Sequence, residues 1–374
     1  MKRWLMGDRE FLENEYFLKY KDEIVLQFDT KGKTVQVFNS ELIPLSIKNR
    51  RDYGMIISFC SDRMLMTNRE YCKEILVSCG IDDQSDVNIC ILSRALSFRD
   101  NYWICSKYSS ETWDKVNLYK NEFSLKIADV ALTGNLQNIN QNDAIGDRIY
   151  TGELTNKGIR AKCFIRTSKG IVLVKYEKIK EILSEIIVYY LARFLNIPCS
   201  RYIYSRVNGR DCAVCQIKTS ETLELVPYRD MMSFYETNLM TYNGLPYLKY
   251  MQIDPIGFLK MHVLDYITLN TDRNRDNFGV LVLNGKTHSL YPLFDHDSCF
   301  KGKSTRGLYF PTGLSYAESL KMIRLDYTYQ YNCIRTDIIN FQKSMLRQEN
   351  IDLFLKYKSY EEYCEMMNRV RELI

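Results

Sequence analysis

At 374 residues, 46% hydrophobic and 26% charged, the chain can bury two or three cores and is too apolar to be disordered. Its net charge of +5 comes from interleaved basic and acidic residues, so no concentrated basic face is evident and direct nucleic-acid binding is not expected. No apolar run reaches the roughly 18–20 residues of a membrane-spanning helix, and MKRWLMGDREF has no apolar core behind its basic start, which predicts a cytoplasmic protein.

In chain order, residues 23–48 contain three short apolar runs, EIVLQF, TVQVF and LIPLSI, which predict a small antiparallel sheet with a turn at Gly32. NREYCKEILVSC (68–79) predicts an amphipathic helix capped by Asn68 and stopped at Gly80. Residues 96–123 carry two of the three tryptophans and read as an irregular, packed segment. The polar stretch 133–148, TGNLQNINQNDAIGDR, lacks apolar periodicity and is the linker candidate. Beyond it, AKCFIR (161–166) and IVLVKY (171–176) flank Ser168-Lys169-Gly170 as a hairpin. A helix over 178–195 follows, with Ile179, Ile182, Leu183, Ile186, Tyr190 and Phe194 on one face and a stop at Asn196 and Pro198. Strands at 201–207 and 211–218 are joined by the turn dipeptide Asn208-Gly209. From about 254 the chain is mainly helical: Asp254-Pro255 caps a helix running to about Leu269, and the last 40 residues form two or more amphipathic helices.

The twelve cysteines are irregularly spaced in a large chain without an export signal, so reduced thiols are expected. Cys212 and Cys215 form a lone CxxC in a strand-like run, and with three histidines in the chain no second ligand pair for zinc is evident.

The stretch LNTDRNRDNFG (269–279), read with Phe294-Asp295-His296, has the spacing of a phosphoryl-transfer site. Asp272 would position and deprotonate an acceptor hydroxyl, while Asn277 and Asp295 offer the oxygen donors that Mg2+ prefers. TDRNRDN alone could be a solvated turn. LYPLFDHD, however, places Asp295 at the end of an apolar run, where an unpartnered carboxylate would be costly. Asp276 and Asp297 are spare carboxylates, and Arg273 and Arg275 could neutralise phosphate or simply face solvent. His262 reads as a packed core histidine, and His296 could orient Asp295. Among the strand lysines Lys162, Lys175 and Lys218, Lys175 is preferred for the ATP phosphates because the next helix carries Glu185 as its partner, with Glu181 competing. The loop GELTNKGIR (152–160), through Gly152, Thr155 and Gly158, could fold over the phosphates or be a plain connection.

TDRNRDN (271–277), FDHDS (294–298) and GELTNKGIRAK (152–162), in this order and separation, resemble the HipA-like kinases, a bacterial or phage-type branch of the protein-kinase-like fold. The resemblance covers roughly 145–330. It implies an α+β, two-lobed fold with a β-rich small lobe and a helical large lobe, here preceded by an extra α+β domain. The corresponding divisions are an N-terminal domain over 1–132, a linker over 133–148, the small lobe over 149–225 and the large lobe over 226–374. It also implies ATP and Mg2+ as cofactors, a protein Ser or Thr as acceptor, an antitoxin-like partner of a toxin–antitoxin system, and Thr155 as the loop hydroxyl open to autophosphorylation. Asn274 stands where many members have His, and the N-terminal 130 residues do not resemble the short domain that contacts the partner in the best-known members. Phosphoinositide kinases share the Asp-Arg-x4-Asn pattern, so a small-molecule or lipid-headgroup kinase, or an inactive interaction module, is the alternative.

Overall fold

The structure is a computed structural model that describes residues 14–81, 85–137, 151–235, 253–301, 324 and 328–374. It divides into two compact units, Met1–Tyr176 with Ile217–Glu224, and Glu177–Gln216 with Leu225–Ile374.

In the first unit, β1 (Glu15–Tyr20), β2 (Glu23–Asp29), β3 (Thr34–Val37) and β4 (Tyr102–Ser106) form an antiparallel sheet in the order β3-β2-β1-β4. Alternation along β1 buries Tyr16 and Leu18 on one face. The third predicted strand, at 42–47, is instead a single 3-10 turn, Leu45–Ile47, behind Pro44, which cannot donate to a ladder. Helices α1 (Gly54–Ser61), α2 (Cys72–Ser78) and α3 (Asp86–Leu92) precede β4, and α4 (Trp113–Val116) and α5 (Leu125–Thr133) follow it. The helix expected from Asn68 starts at Cys72, because Tyr71 is left-handed (φ 62°) and interrupts the turn before it. Of the predicted linker, 133–137 ends α5 through Gly134, and 138–148 lies outside the described residues. The segment 96–123 is core: Phe98, Trp103, Trp113 and Phe123 pack with Phe164 and Ile171 of the following hairpin, β5 (Lys162–Thr167) and β6 (Gly170–Tyr176). Burying each large ring contributes about 1.5–3 kcal/mol.

The second unit opens with α6 (Ile179–Phe194), whose Ile182 and Ile186 pack on Tyr202, Ala213 and Cys215 of the hairpin β7 (Tyr202–Val207) and β8 (Arg210–Gln216). Left-handed Asn208 and Gly209 make its turn, as expected. β9 (Leu223–Pro227) leads into α7 (Tyr228–Tyr235). α8 (Pro255–Thr268) is capped by the Asp254 carboxylate, which accepts from Gly257 N, and ends at left-handed Leu269. A hairpin, β10 (Gly279–Leu283) and β11 (Lys286–Leu290), interrupts the region expected to be helical, and the sheet order is β11-β10-β9. Three helices close the unit: α9 (Thr328–Met345), α10 (Gln348–Leu355) and α11 (Tyr360–Leu373). α8 is buried along most of its length against α9 and α11. No cysteine is in a disulfide. Among the described residues, no helix is long and apolar enough to cross a membrane.

Candidate active site

In the second unit, the loop after α8 is built on a buried ion pair. Asp265 stands in an apolar helix, VLDYIT, and its side chain and that of Arg273 are both fully buried. The Arg273 guanidinium donates from Nε to Asp265 Oδ2 (2.9 Å) and from Nη2 to Oδ1 (3.1 Å). Its Nη1 donates to the carbonyls of Asn277 (2.6 Å) and Phe294 (2.7 Å). One side chain therefore fixes the helix end, the 272–277 loop and the segment before Asp295. A planar guanidinium can serve all these acceptors at once, and a buried pair with satisfied donors holds one geometry. The expectation that Arg273 meets phosphate or solvent is thus corrected. The available sequence signal was a carboxylate within the apolar run of α8.

The loop folds on itself around Asp272. Asp272 N donates to Asn270 Oδ1 (3.1 Å), and Asn277 Nδ2 donates to Asp272 O (2.8 Å) and to its carboxylate (3.4 Å). Asn274 Nδ2 donates to the other carboxylate oxygen (3.2 Å). The Asp272 carboxyl is shifted above its ordinary range, first by burial and further by the charges of Asp295 and Asp297, while Asn274 opposes the shift. Like charges gathered around two loops are the arrangement that a bound cation would relieve. Asp276 is turned away, pairing with Arg229 at 3.2 Å, and Asp297 accepts from Ser298 Oγ (2.8 Å).

Asp295 has left-handed backbone (φ 62°), which lets the chain turn sharply after Phe294. The turn folds back on α8, where Phe300 N donates to Thr268 O (2.8 Å). Glu185 of α6 is fully buried and accepts from His296 N (2.9 Å), with His296 Nδ1 at 3.5 Å. Glu185 is thereby one residue from Asp295. Glu181 accepts from Lys178 N (3.0 Å) at the start of α6 and pairs with Lys301 (3.1 Å), so it serves as a helix cap. His262 is buried edge-on to Phe258, and burial lowers its pKa well below the usual value, as suits a neutral core histidine.

In the first unit, Lys175 is buried on β6 directly across from Lys162 on β5. Lys218 lies beyond the end of β8 and is exposed. The loop is held as a buried 3-10 turn, Glu153–Thr155. Gly152 lacks a side chain because a Cβ there would meet the Phe98 ring at 2.7 Å. Thr155 is buried, and its hydroxyl donates to Leu96 O (2.5 Å), so it is not the open hydroxyl expected of an autophosphorylation site. Gly158 is left-handed (φ 110°) beside the Lys162 ammonium. Glu153 Oε1 accepts from Phe164 N (2.7 Å), and burial pushes its carboxyl up to about 7 against the opposing charge of Arg69.

The unit containing Asp272, Asn277, Asp295 and Glu185 thus brings these four together, while Lys175, Gly152, Thr155 and Gly158 share the other unit. Among the described residues no three His, Cys, Asp or Glu side chains form a metal cluster by themselves. Beside Asp272, Asn277 and Asp295 offer an amide and a carboxylate oxygen, the donor type that Mg2+ takes. No protein-family model and no curated protein sequence matches this chain. Among solved structures, it is similar to HipA of the Shewanella oneidensis MR-1 toxin–antitoxin system, solved with HipB and operator DNA. The identity is 13% and the TM-score 0.60, over 96% of this chain and 97% of that one. It is also similar, at 13% identity and TM-score 0.40, to the Helicobacter pylori proinflammatory kinase CtkA, over 58% of this chain and 88% of that one. The full-length likeness to the first, together with the strand, helix and loop order described above, shows that the chain has the HipA-like, protein-kinase-like fold.

Proposed function

We propose that the chain is an ATP- and Mg2+-dependent kinase that phosphorylates a Ser or Thr of a protein and acts as the toxin of a toxin–antitoxin pair. The observation that carries this reading is the meeting of Asp272, Asn277 and Asp295 on two loops bound by one buried arginine. When bound, the magnesium nucleotide supplies the phosphoryl group and a cation that offsets the gathered negative charge. Asn277 and Asp295 would hold the metal. Asp272, oriented by Asn274 and Asn277, would align the acceptor hydroxyl and take its proton, and an elevated pKa favours that role. Lys175 would hold the nucleotide phosphates. Most of the acceleration would come from alignment, which the Asp265–Arg273 pair prepares before any substrate binds.

The Shewanella complex contains HipB and operator DNA. By that likeness we assign this chain an antitoxin-like protein partner. The expectation of no nucleic-acid contact, drawn from charge alone, has no support from the comparison. Labelled ATP with Mg2+, offered to lysate proteins and to lipid extract, tests the reading. Transfer to protein Ser or Thr is expected, with Asp272→Ala lowering it about 10²–10⁴-fold. Equal labelling by wild type and variant would sink the catalytic assignment, and label confined to lipid would make the chain a headgroup kinase.

A further inference from the structure

We infer that Arg69, in the segment leading into α2, is the positioning residue that fixes the 152–162 loop in its working shape, and so sets how the nucleotide is held. The inference rests on the kinase reading above. Arg69 is almost fully buried and precedes the loop by more than eighty residues. Its Nη1 donates to the carbonyls of Asn156 (2.7 Å) and Glu153 (3.3 Å), and its Nη2 to the carbonyl of Lys162 (2.5 Å). The Glu153 carboxylate lies 3.6 Å from the same guanidinium. The fork therefore joins the start and middle of the loop to its last residue, the first of β5.

Neighbouring residues extend the attachment. Leu65 N donates to Leu154 O (2.9 Å), Glu70 N to Ile159 O (2.8 Å), and Ala161 N to the Glu70 carboxylate (3.2 Å). On the loop's other side, Glu153 accepts from Phe164 N and Thr155 donates to Leu96 O. Residues 65–70 thus run alongside the loop and bind it by backbone at 154 and 159. Arg69 is the member that reaches three separated carbonyls, a task for a planar fork with several donors and not for a lysine's single ammonium. A guanidinium buried merely to fill space would not require carbonyls 153, 156 and 162 to converge on it.

The test uses the full chain. Arg69→Lys keeps the charge and removes the fork. The double variant Arg69→Met, Glu153→Gln removes both buried charges together, so no unpaired charge is left to unfold the protein, and the introduced amide oxygen can still accept from Phe164 N. Both variants are expected to raise the KM for ATP about tenfold, with kcat at saturating ATP within about threefold of wild type and the KM for the protein substrate unchanged. Amide hydrogen exchange at 153–162 should accelerate in both at least tenfold, while exchange in the β1–β4 sheet stays at the wild-type rate. An unchanged KM for ATP in the double variant overturns the inference, as does a parallel fall in kcat and rise in both KM values. Absence of phosphoryl transfer in the wild type would count against the kinase reading. In that case, unaltered exchange at 153–162 in the variants would separately overturn the role of Arg69.

Discussion

At the scale of single residues, the molecule is organised by a few buried charges whose partners lie elsewhere in the chain. Asp265 and Arg273 join helix and loop, and Arg69 and Glu153 join two distant segments. Glu153 makes its presence measurable through pH. Its folded-state carboxyl sits at about 7 against an ordinary 4.5, principally because burial disfavours the charge. As pH rises from 4.5, the unfolded chain loses this proton first, so the stability it contributes is full below pH 4.5 and is lost as pH rises through 7. Urea unfolding at pH 5 and pH 8 should show the wild type losing on the order of 3 kcal/mol that Glu153→Gln does not lose. Equal pH dependence in the two proteins would place Glu153 in solvent. The grouping of Asp272, Asn277 and Asp295 was legible as a spacing because the three lie within one short stretch of chain. The roles of Arg273 and Glu153 were not, since each depends on a partner brought near only by folding.

Among the elements, β10 begins at a residue with no room for a side chain. A Cβ on Gly279 would overlap the carbonyl of Val226 in the neighbouring strand, so glycine here reflects close approach of two backbones. Asn277 lies two residues before it. Gly279→Ala should therefore cost about 1–3 kcal/mol of stability by overpacking, and should lower phosphoryl transfer by displacing the Asn277 amide. Denaturation midpoints and kcat, measured together, check both effects. The hairpins at 162–176 and 202–216 and helix α6 followed the sequence pattern closely, since each couples clear periodicity to Gly or Asn turns. The 42–47 run misled because its apolar residues fill a core beneath a 3-10 turn, with Ile43 and Ile47 both buried. Burial rewards apolar character in any backbone shape. The β10–β11 hairpin lay unrecognised although Asn284-Gly285 marks its turn, because the helices on either side dominate that region's pattern.

For the molecule as a whole, sequence resemblance reached from about 145 to 330, whereas the structural likeness to the Shewanella protein extends over 96% of this chain at 13% identity. Core positions accept many apolar residues of suitable volume, so a fold outlasts the residue identities that announce it. Thiol chemistry offers a test of the whole packing. None of the twelve cysteines is in a disulfide, nine are buried, and Cys333 alone is exposed. Ellman's reagent should find about one fast thiol in the native protein and all twelve once it is denatured. Cys333→Ser should remove the fast phase. Several fast thiols would contradict the packing, and fewer than twelve after denaturation would reveal a disulfide.

The left-handed backbone at Asp295 has a consequence for how such a site decays. Asp, Asn and Gly tolerate this conformation, and most other side chains are strained in it. On the reading that Asp295 holds a metal, drift at this position is therefore channelled: a lineage released from selection for catalysis would pass first to Asn or Gly and keep its architecture, whereas Val or Ile would strain the fold as well. An inactive descendant would be recognised by a conservative-looking change at 295 in an otherwise intact loop.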